Sequence, residues 1–356
     1  MARFQHLLGI EGLAQANIKR VLARAADFQR QPPPPLLAHQ RLLLLFYEAS
    51  TRTRTSFEVA ARRLGAETVA VTATASSIEK GESLLDTVYT LRAMAINGIV
   101  VRHASSGAPH LIAEHVDVPV INAGDGMHEH PTQALLDGFT ILQHRPSIAG
   151  LTVAIIGDIL HSRVARSNLL LLTRLGARVH LCGPRTLLPP EFAAYGPSVT
   201  LTCDLEEALA GADVVMVLRI QMERMHESFF PSEAEYVARY SVTQERLRLA
   251  RPGALVMHPG PMIRGVEISA EVADSPQSVI REQVENGVLI RMAVLAELLA
   301  AAPGASAEIG CGDGEAAPGP APRNERSAGP GRTPPRPGAS TSGMGGEAAP
   351  GLAPKK

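Results

Sequence analysis

Residues 42–58, LLLLFYEASTRTRTSFE, join a continuous apolar run to a cluster of hydroxyl and guanidinium side chains. The run Leu42–Phe46 is short and unbroken, which is typical of a strand buried on both faces of a parallel sheet. A helical pattern follows from about Thr53 to Leu64 and stops at Gly65, a residue suited to the position after a helix C-terminus. The stretch therefore predicts a strand–loop–helix unit of an α/β protein.

The loop of this unit, Ser50-Thr51-Arg52-Thr53-Arg54, suits an anion such as phosphate. Free N–H groups at a helix start, hydroxyl groups and a guanidinium are the donors that phosphate sites use. The simpler interpretation is a serine N-cap with solvated arginines. Three hydroxyls interleaved with two arginines exceed what a cap needs, so we favour the anion site.

Strand and helix patterns alternate on both sides of this unit and begin again near residue 151. We predict an α/β fold of two domains, each a parallel sheet flanked by helices. The domains are expected over residues 1–145 and 146–278, with a helix over 279–301 that packs back on the first domain. Residues 302–356 are expected to be a disordered tail, because 303–356 contain 10 Pro and 12 Gly and very few large apolar residues.

The composition excludes several classes of protein. With 34 Lys and Arg against 35 Asp and Glu, the formal net charge of −1 argues against a nucleic-acid-binding protein. The three cysteines form no CxxC pair, which fits a reducing cytoplasm and neither a disulfide scaffold nor a cysteine zinc site. No run approaches the roughly 20 apolar residues of a membrane helix, and no secretory signal is recognisable at the N-terminus. We therefore expect a cytoplasmic protein.

Polar residues follow most of the predicted strands, and many of them are donors. In an open parallel sheet the ligand binds beyond the carboxyl ends of the strands. The segments at these positions are 50–54, Arg102-His103, 122–126, Gly157-Asp158, 219–221 and 258–261. This pattern predicts an anion-binding site, and neither a GxxxxGK[ST] loop nor a GxGxxG motif is present to suggest a nucleotide.

Two motifs resemble those of the carbamoyltransferase family. Phe46–Glu58 is similar to the family signature, and His130-Pro131-Thr132-Gln133 followed by Leu136-Asp137 is similar to its second motif. The resemblance extends from about residue 4 to residue 300. It implies a carbamoyl phosphate domain, an amino-acid domain and a homotrimer with shared active sites, and it requires neither a metal nor another cofactor.

The resemblance also implies a role for each motif residue. Those expected to bind carbamoyl phosphate are Ser50, Thr51, Arg52, Thr53, Arg102, His130, Gln133, Gly260 and Pro261. Among them, Thr53, Arg102 and His130 are expected to act on the carbonyl oxygen in catalysis. Those expected to bind the amino-acid substrate are Ser76, Lys80, Arg163, Arg219 and Gln221. Asp125 and Asp158 are interpreted as structural, capping backbone groups and pairing with arginines.

Lys80 is notable because the chain has 30 Arg and only 4 Lys, two of which are in the C-terminal tail. A lysine in the polar loop 74–83 of so arginine-rich a chain indicates a need for a compact ammonium, although chance explains it too. By resemblance, Ser76 and Lys80 match a loop that reaches the neighbouring subunit's site. Ser77 is an alternative for the serine.

The second half of the chain favours L-aspartate over L-ornithine as the substrate. His258-Pro259-Gly260-Pro261 stands where ornithine enzymes of the family are expected to carry His-Cys-Leu-Pro, and Arg219-Ile220-Gln221 matches the Arg-x-Gln of aspartate enzymes. The two carboxylates of aspartate also require several cationic side chains to bind them, whereas the side-chain ammonium of ornithine requires an acidic side chain. The expected products are N-carbamoyl-L-aspartate and phosphate, and this reaction is an early step of pyrimidine biosynthesis.

Two alternatives remain from the sequence. The chain could use ornithine or a related amine, or it could be an inactive scaffold that assembles with dihydroorotase-like chains. Every motif position is filled, which argues against a degraded scaffold. One departure is Pro261-Met262-Ile263-Arg264, where the family often has Pro-x-Asn-Arg. Whether regulatory or dihydroorotase-like chains join the trimer is left open by the sequence.

Overall fold

Two parallel sheets organise the described part of the chain, which in this computed structural model comprises residues 4–72, 83–220 and 232–300. The first sheet has the order β2-β1-β3-β4 and the second the order β7-β6-β5-β8-β9. The strands are β1 Arg41–Phe46, β2 Glu67–Thr72, β3 Gly98–His103, β4 Val120–Asp125, β5 Thr152–Ile156, β6 Arg178–Cys182, β7 Val199–Thr202, β8 Val214–Val217 and β9 Leu255–Met257. The predicted α/β architecture with two parallel sheets is confirmed.

Eleven α-helices lie within the described residues and connect or cover these strands. They are α1 Gln15–Arg30, α2 Thr51–Arg63, α3 Leu84–Arg92, α4 Ala108–His115, α5 Pro131–His144, α6 Arg163–Arg174, α7 Leu205–Leu209, α8 Glu233–Tyr240, α9 Gln244–Leu247, α10 Ala270–Ala273 and α11 Ile280–Leu299. None of them is both long and apolar enough to cross a membrane. The expected disordered tail, 302–356, lies outside the described residues.

The apolar run Leu42–Phe46 forms most of β1, a central strand of the first sheet. Strand β1 pairs with β2 on one side and with β3 on the other. Leu42 and Leu44 enter the core on one face of the sheet, while Leu43 and Leu45 enter a separate core on the opposite face. Because successive side chains of a strand point to opposite faces, a run without polar residues requires a sheet that is covered on both sides.

The C-terminal helix α11 packs against α1, α2 and α5. Its apolar residues Ile290, Met292 and Leu295 belong to the same core as β1 and α2. The helical spacing of its apolar residues predicts Val284 on the buried face as well, but Val284 is 51% exposed. The buried side includes Gln283, Asn286, Arg291 and Glu297 instead.

Each sheet has a switch point between two neighbouring strands, from which the strand order continues in opposite directions along the sheet. The loops that follow these two strands border a crevice. In the first sheet it lies between β1 and β3, and in the second between β5 and β8. Crevices at the carboxyl ends of such strands are where open α/β sheets bind ligands. The polar segments that follow these four strands therefore identify the place to look for a site.

Candidate active site

A cavity of about 440 Å³ lies at the carboxyl ends of both sheets. Most of the residues predicted for the site line it: Ser50, Thr51, Arg52, Thr53, Arg102, His130, Gln133, Arg163, Arg219, Gly260 and Pro261. The other three, Ser76, Lys80 and Gln221, lie outside the described residues. Residues up to 211 positions apart in the chain, Ser50 and Pro261, therefore meet in one place.

The cavity is strongly positive. Its described lining contains five arginines, namely Arg52, Arg102, Arg163, Arg219 and Arg291, and no carboxylate. Helices α2, α5 and α6 also begin at its wall. The first N–H groups of a helix lack intrahelical acceptors and carry the positive end of its dipole. The arrangement therefore favours a ligand with several negative charges.

The start of α2 supports an anion site over a simple cap. Ser50 occupies the N-cap position, yet its side chain makes no capping hydrogen bond to the first turn. By contrast, the hydroxyl of Ser162 at the start of α6 accepts a hydrogen bond from the Ala165 N–H. Because the Ser50 hydroxyl is not used as a cap, it can serve a ligand together with the N–H groups of the helix start.

Glu48 links the two arginines at the back of the cavity, and the sequence analysis did not identify it. Its Oε2 accepts a hydrogen bond of 2.7 Å from Arg163 Nη2 and lies 3.4 Å from Arg102 Nη2. Arg163 and Arg102 also donate to the carbonyls of Gly126 and Ala123. The guanidinium groups are thus held by charged contacts to a residue two positions after the end of β1.

Gly124 permits this close approach of the arginines. Its φ of +113° is in a region that favours glycine. A Cβ at this position would lie 3.0 Å from Arg163 Nε and 3.1 Å from Arg102 Nη1. Any side chain here would displace one of the two guanidinium groups.

His130 is buried at the N-cap position of α5. Burial, followed by the charges of Arg102, Arg163 and Arg291, lowers the pKa of His130 well below its ordinary value. The imidazole is therefore neutral at physiological pH and carries one N–H. Its Nδ1 is buried without a hydrogen-bond partner among the described residues. The backbone N–H of His130 donates to Ser167 Oγ at 2.8 Å, which fixes the residue at the cavity wall.

The side chain of Gln133 is oriented by a buried carboxylate. Asp137 Oδ1 accepts hydrogen bonds from Gln133 Nε2 at 2.9 Å and from Gln283 Nε2 at 2.8 Å, and Oδ2 accepts one from Asn168 Nδ2. Since the amide nitrogen of Gln133 is engaged by Asp137, its carbonyl oxygen is left as the group that can accept a hydrogen bond from a ligand.

Burial raises the pKa of Asp137 to about 6, although its three amide donors oppose this shift. We expect the rate of the wild-type enzyme to decrease as the pH falls through about 6, because protonation weakens the bonds that orient Gln133. The Asp137→Asn variant should lack this decrease, whereas Asp213→Asn, which alters a buried carboxylate outside the cavity, should keep it. The check is kcat measured from pH 5 to 8, and an unchanged profile in Asp137→Asn would contradict the assignment.

The raised pKa of Asp137 also makes the stability of the folded protein depend on pH. The folded protein binds the Asp137 proton more tightly than the unfolded chain, in which an Asp carboxyl has its ordinary pKa of 3.8. This group therefore contributes most to stability below about pH 4, and the contribution is lost as the pH rises to about 6. Two pKa units correspond to at most roughly 3 kcal/mol. Denaturant unfolding of wild type and Asp137→Asn at both ends of this pH range measures the difference.

The loop after β9 closes one side of the cavity. His258 Nδ1 accepts a hydrogen bond from the Gly260 N–H, so the protonated Nε2 donates to Glu267 Oε1 at 3.1 Å. The Pro259 carbonyl accepts from Arg52 Nη1 at 3.3 Å. Gly260 has a φ of +67°, and a Cβ there would overlap the Arg52 guanidinium. The loop can therefore pass directly against the start of α2.

Arg291 on α11 lines the cavity, and the sequence analysis did not identify it. Its Nη1 donates to Ser56 Oγ at 2.9 Å, and its guanidinium lies 5.1 Å from the ring centroid of Phe57. Burial lowers its pKa to about 10, which leaves it charged at neutral pH. A charged residue inside an otherwise apolar helical run was the signal that could have identified it.

The comparisons with known proteins identify related sequences over the whole described region. The family profile "Aspartate/ornithine carbamoyltransferase, carbamoyl-P binding domain" matches residues 5–143, and the profile of its "Asp/Orn binding domain" matches residues 149–298. The aspartate carbamoyltransferase catalytic subunit of Solibacter usitatus is 55% identical over 298 residues, which cover 82% of this chain and 98% of the relative. The subunit of the same name from Methylorubrum extorquens is 53% identical over 299 residues, covering 83% and 94%.

Solved structures of similar fold include enzymes for both amines. Aspartate transcarbamoylase from Trypanosoma cruzi in complex with carbamoyl phosphate and aspartate has a TM-score of 0.77 and 33% identity, covering 84% of this chain and 98% of that one. Ornithine carbamoyltransferase from Pyrococcus furiosus has a TM-score of 0.76 and 29% identity, covering 84% and 99%. Because both share the fold, the choice of amine rests on sequence identity and on the chemistry of the cavity.

Proposed function

The chain belongs to the aspartate/ornithine carbamoyltransferase family, and on this basis we propose that it transfers the carbamoyl group of carbamoyl phosphate to the α-amino group of L-aspartate. The products are N-carbamoyl-L-aspartate and phosphate, which gives the enzyme its place in pyrimidine biosynthesis. The observation that carries the choice of amine is the described cavity lining, with five arginines and no carboxylate. A phosphate and a dicarboxylate find partners there, whereas the side-chain ammonium of ornithine would meet arginines, and the Glu48 carboxylate behind them is already paired with Arg163.

Carbamoyl phosphate binds with its phosphate at the start of α2. The hydroxyls of Ser50, Thr51 and Thr53, the N–H groups of the first turn and the guanidinium of Arg52 are the donors for its oxygens, and Arg102 adds a second cation. The Ser50 hydroxyl, which makes no capping hydrogen bond to the helix, and the convergence of Arg52 and Arg102 on one cavity support this assignment. Donors fixed by the fold hold the anion without reorganising during the reaction.

The carbonyl oxygen faces Thr53, Arg102 and His130. Negative charge develops on this oxygen when the amine attacks, so donors positioned there stabilise the transition state more than the substrate. The low pKa of His130 supports its part as a neutral hydrogen-bond donor, and not as a general acid that loses its proton. The carbonyl oxygen of Gln133 and the backbone carbonyls of Gly260 and Pro261 accept hydrogen bonds from the carbamoyl NH₂ group.

L-Aspartate binds through its carboxylates to Arg163 and Arg219, with Gln221, Lys80 and Ser76 completing the site. Arg163 donates to Glu48 in the structure, so an incoming carboxylate shares this guanidinium with Glu48 or replaces it. The amine is held near the carbonyl carbon, which lowers the entropic cost of the bimolecular step. The leaving phosphate, a basic group at the reacting centre, accepts the proton of the amine.

The test of the proposed function offers the purified chain carbamoyl phosphate with L-aspartate or with L-ornithine, and measures phosphate release and the carbamoylated amine. We expect N-carbamoyl-L-aspartate to form in the first case and turnover with L-ornithine to be at least about 100-fold slower, because an unpaired ammonium would be buried among arginines. Faster turnover with L-ornithine would overturn the choice of amine while keeping the family.

The wider setting is proposed on the same basis. The active enzyme is a homotrimer in which Ser76 and Lys80 of one subunit complete the site of its neighbour, and it acts in the cytoplasm. Light scattering of the untagged protein checks the first point and should return three times the mass of the chain. A monomer with full activity would contradict the shared site.

A further inference from the structure

A second cluster of potential ligands lies outside the carbamoyl-transfer cavity. His110 is on α4, Asp125 ends β4, and His128 belongs to the turn that precedes α5. Each offers one ligand atom, and these three atoms all lie within 4.8 Å of one another. His128 Nδ1 is 3.1 Å from Asp125 Oδ2, and the rings of His110 and His128 meet edge to face with centroids 5.6 Å apart.

The Asp125 carboxylate is fixed by its own hydrogen bonds. Its Oδ1 accepts from Asn122 Nδ2 at 2.7 Å and from the Glu129 N–H, while Oδ2 accepts from the Gly107 N–H at 2.7 Å. The side chain is fully buried. Asp125 caps backbone N–H groups as expected, but the arginine partner expected for it is not found among the described residues. Hydrogen bonds that orient a ligating group from behind are a regular feature of metal sites in proteins.

His110 supplies an independent observation. Its Nδ1 is buried and has no hydrogen-bond partner among the described residues. A buried polar atom without a partner is destabilising unless something else satisfies it. The side chain of His128 is 35% exposed, so the cluster is open to solvent on that side. An ion that enters there could give the His110 ring the partner that the protein does not provide.

We propose that His110, Asp125 and His128 form a binding site for a divalent transition-metal ion of the Zn²⁺ class. Two imidazole nitrogens and one carboxylate oxygen suit Zn²⁺, whereas Mg²⁺ and Ca²⁺ prefer oxygen ligands throughout. Tetrahedral bonds of about 2.0–2.2 Å require neighbouring ligand atoms roughly 3.5 Å apart, which small side-chain rotations reach from the present spacing. Water completes the coordination as the fourth ligand.

The sequence pattern did not point to this site. His128 and His130 are only two positions apart in the sequence, but His130 lines the other cavity. The missing ligand comes from α4, 15 residues before Asp125. The bound ion would tie α4 to the turn that leads into α5, and it would stabilise the folded chain because the site does not exist in the unfolded one.

The experiment uses the full chain without a histidine tag, stripped of metal with a chelator. Co²⁺ is added and the visible absorption of tetrahedral Co²⁺ is recorded, after which Zn²⁺ is added in competition and the Tm is measured. We expect one equivalent to bind, Zn²⁺ to displace Co²⁺, and Zn²⁺ to raise the Tm by several degrees. His110→Gln and His128→Asn should each weaken binding by roughly 100-fold or more, since each removes a direct ligand.

The matched control is His115→Gln, which changes an exposed histidine at the other end of α4 and should bind the ion like the wild type. Metal-free melting curves establish that each variant is folded. Binding that is unchanged in His110→Gln or in His128→Asn would overturn the proposal, as would the absence of Co²⁺ and Zn²⁺ binding up to about 1 mM. These readouts do not depend on carbamoyl transfer, so the proposal stands or falls separately from the proposed function.

Discussion

His130→Ala lowers kcat by about 10²–10³, which is the usual loss when one donor to a developing oxyanion is removed. The imidazole is neutral and carries a single N–H at the cavity wall. Alanine removes this donor, while the backbone N–H of residue 130 can still donate its hydrogen bond to Ser167 Oγ. We therefore expect the fold and the affinity for both substrates to be largely retained. The measurement is steady-state kinetics together with thermal unfolding of the purified variant.

His144→Ala is the matched control, because His144 lies at the opposite end of the same helix and pairs with Glu282 away from the cavity. It should keep wild-type kcat. Arg102→Ala should show a loss similar to that of His130→Ala, with weaker carbamoyl phosphate binding in addition, since Arg102 contributes to the phosphate as well. Near-normal turnover in a folded His130→Ala or Arg102→Ala would remove that residue from the mechanism.

Arg219→Ala raises the KM for L-aspartate by about 10–100-fold and leaves the KM for carbamoyl phosphate near that of the wild type. Arg219 directly follows Val217 and Leu218 at the end of β8, at the switch point of the second sheet, and lines the cavity. A hydrogen-bonded pair of charged groups contributes roughly 1.5–3 kcal/mol, which corresponds to this loss of affinity. The two substrates are titrated separately to obtain the split.

Arg219→Lys should recover part of the affinity for L-aspartate, because lysine keeps the positive charge but cannot form the bidentate hydrogen bonds of the guanidinium. Arg248→Ala changes an exposed arginine that is not in the cavity lining, and it should leave both KM values unchanged. An equal rise in both KM values in Arg219→Ala would indicate a general disturbance of the cavity. An unchanged KM for L-aspartate would assign the carboxylate to other residues.

The parts of the fold that sequence predicted are those where one segment determines its own structure. Leu42–Phe46 is a buried strand because nothing polar interrupts it, and α2 spans Thr51–Arg63, close to the helix expected from about Thr53 to Leu64. Helix α4 was not predicted, since its eight residues carry Pro109 and two histidines and give no clear period. The strand β7 was missed for a similar reason, because four residues are too few for an alternating pattern.

The side-chain network behind the cavity depended on partners that are far apart in the chain. Gln283 and Asp137 are separated by 146 residues, and Glu297 pairs with Arg20 across 277. These contacts explain why polar residues of α11 are buried while Val284 is exposed. No local pattern records such pairs, so the roles of Glu48 and Asp137 are visible only in the structure.

The cationic residues of the cavity were predictable because topology brings strand ends together. Arg102 is the penultimate residue of β3, Arg163 begins α6 after β5, and Arg219 follows β8, so a parallel α/β fold places them at one edge. The family motifs then distinguished His130 from the other histidines. The structure adds the hydrogen bonds that orient these groups, and the sequence motifs do not reveal those bonds.

The most direct test of the account is a crystal structure of the protein with N-(phosphonacetyl)-L-aspartate, which joins a phosphonate to two carboxylates. We expect the phosphonate to lie within hydrogen-bond distance of the Ser50–Thr53 backbone and of Arg52 and Arg102. The carboxylates should contact Arg163 and Arg219, with the carbonyl oxygen facing His130. A compound bound in the reverse direction, or outside this cavity, would contradict the central claim that these arginines divide phosphate and dicarboxylate between them.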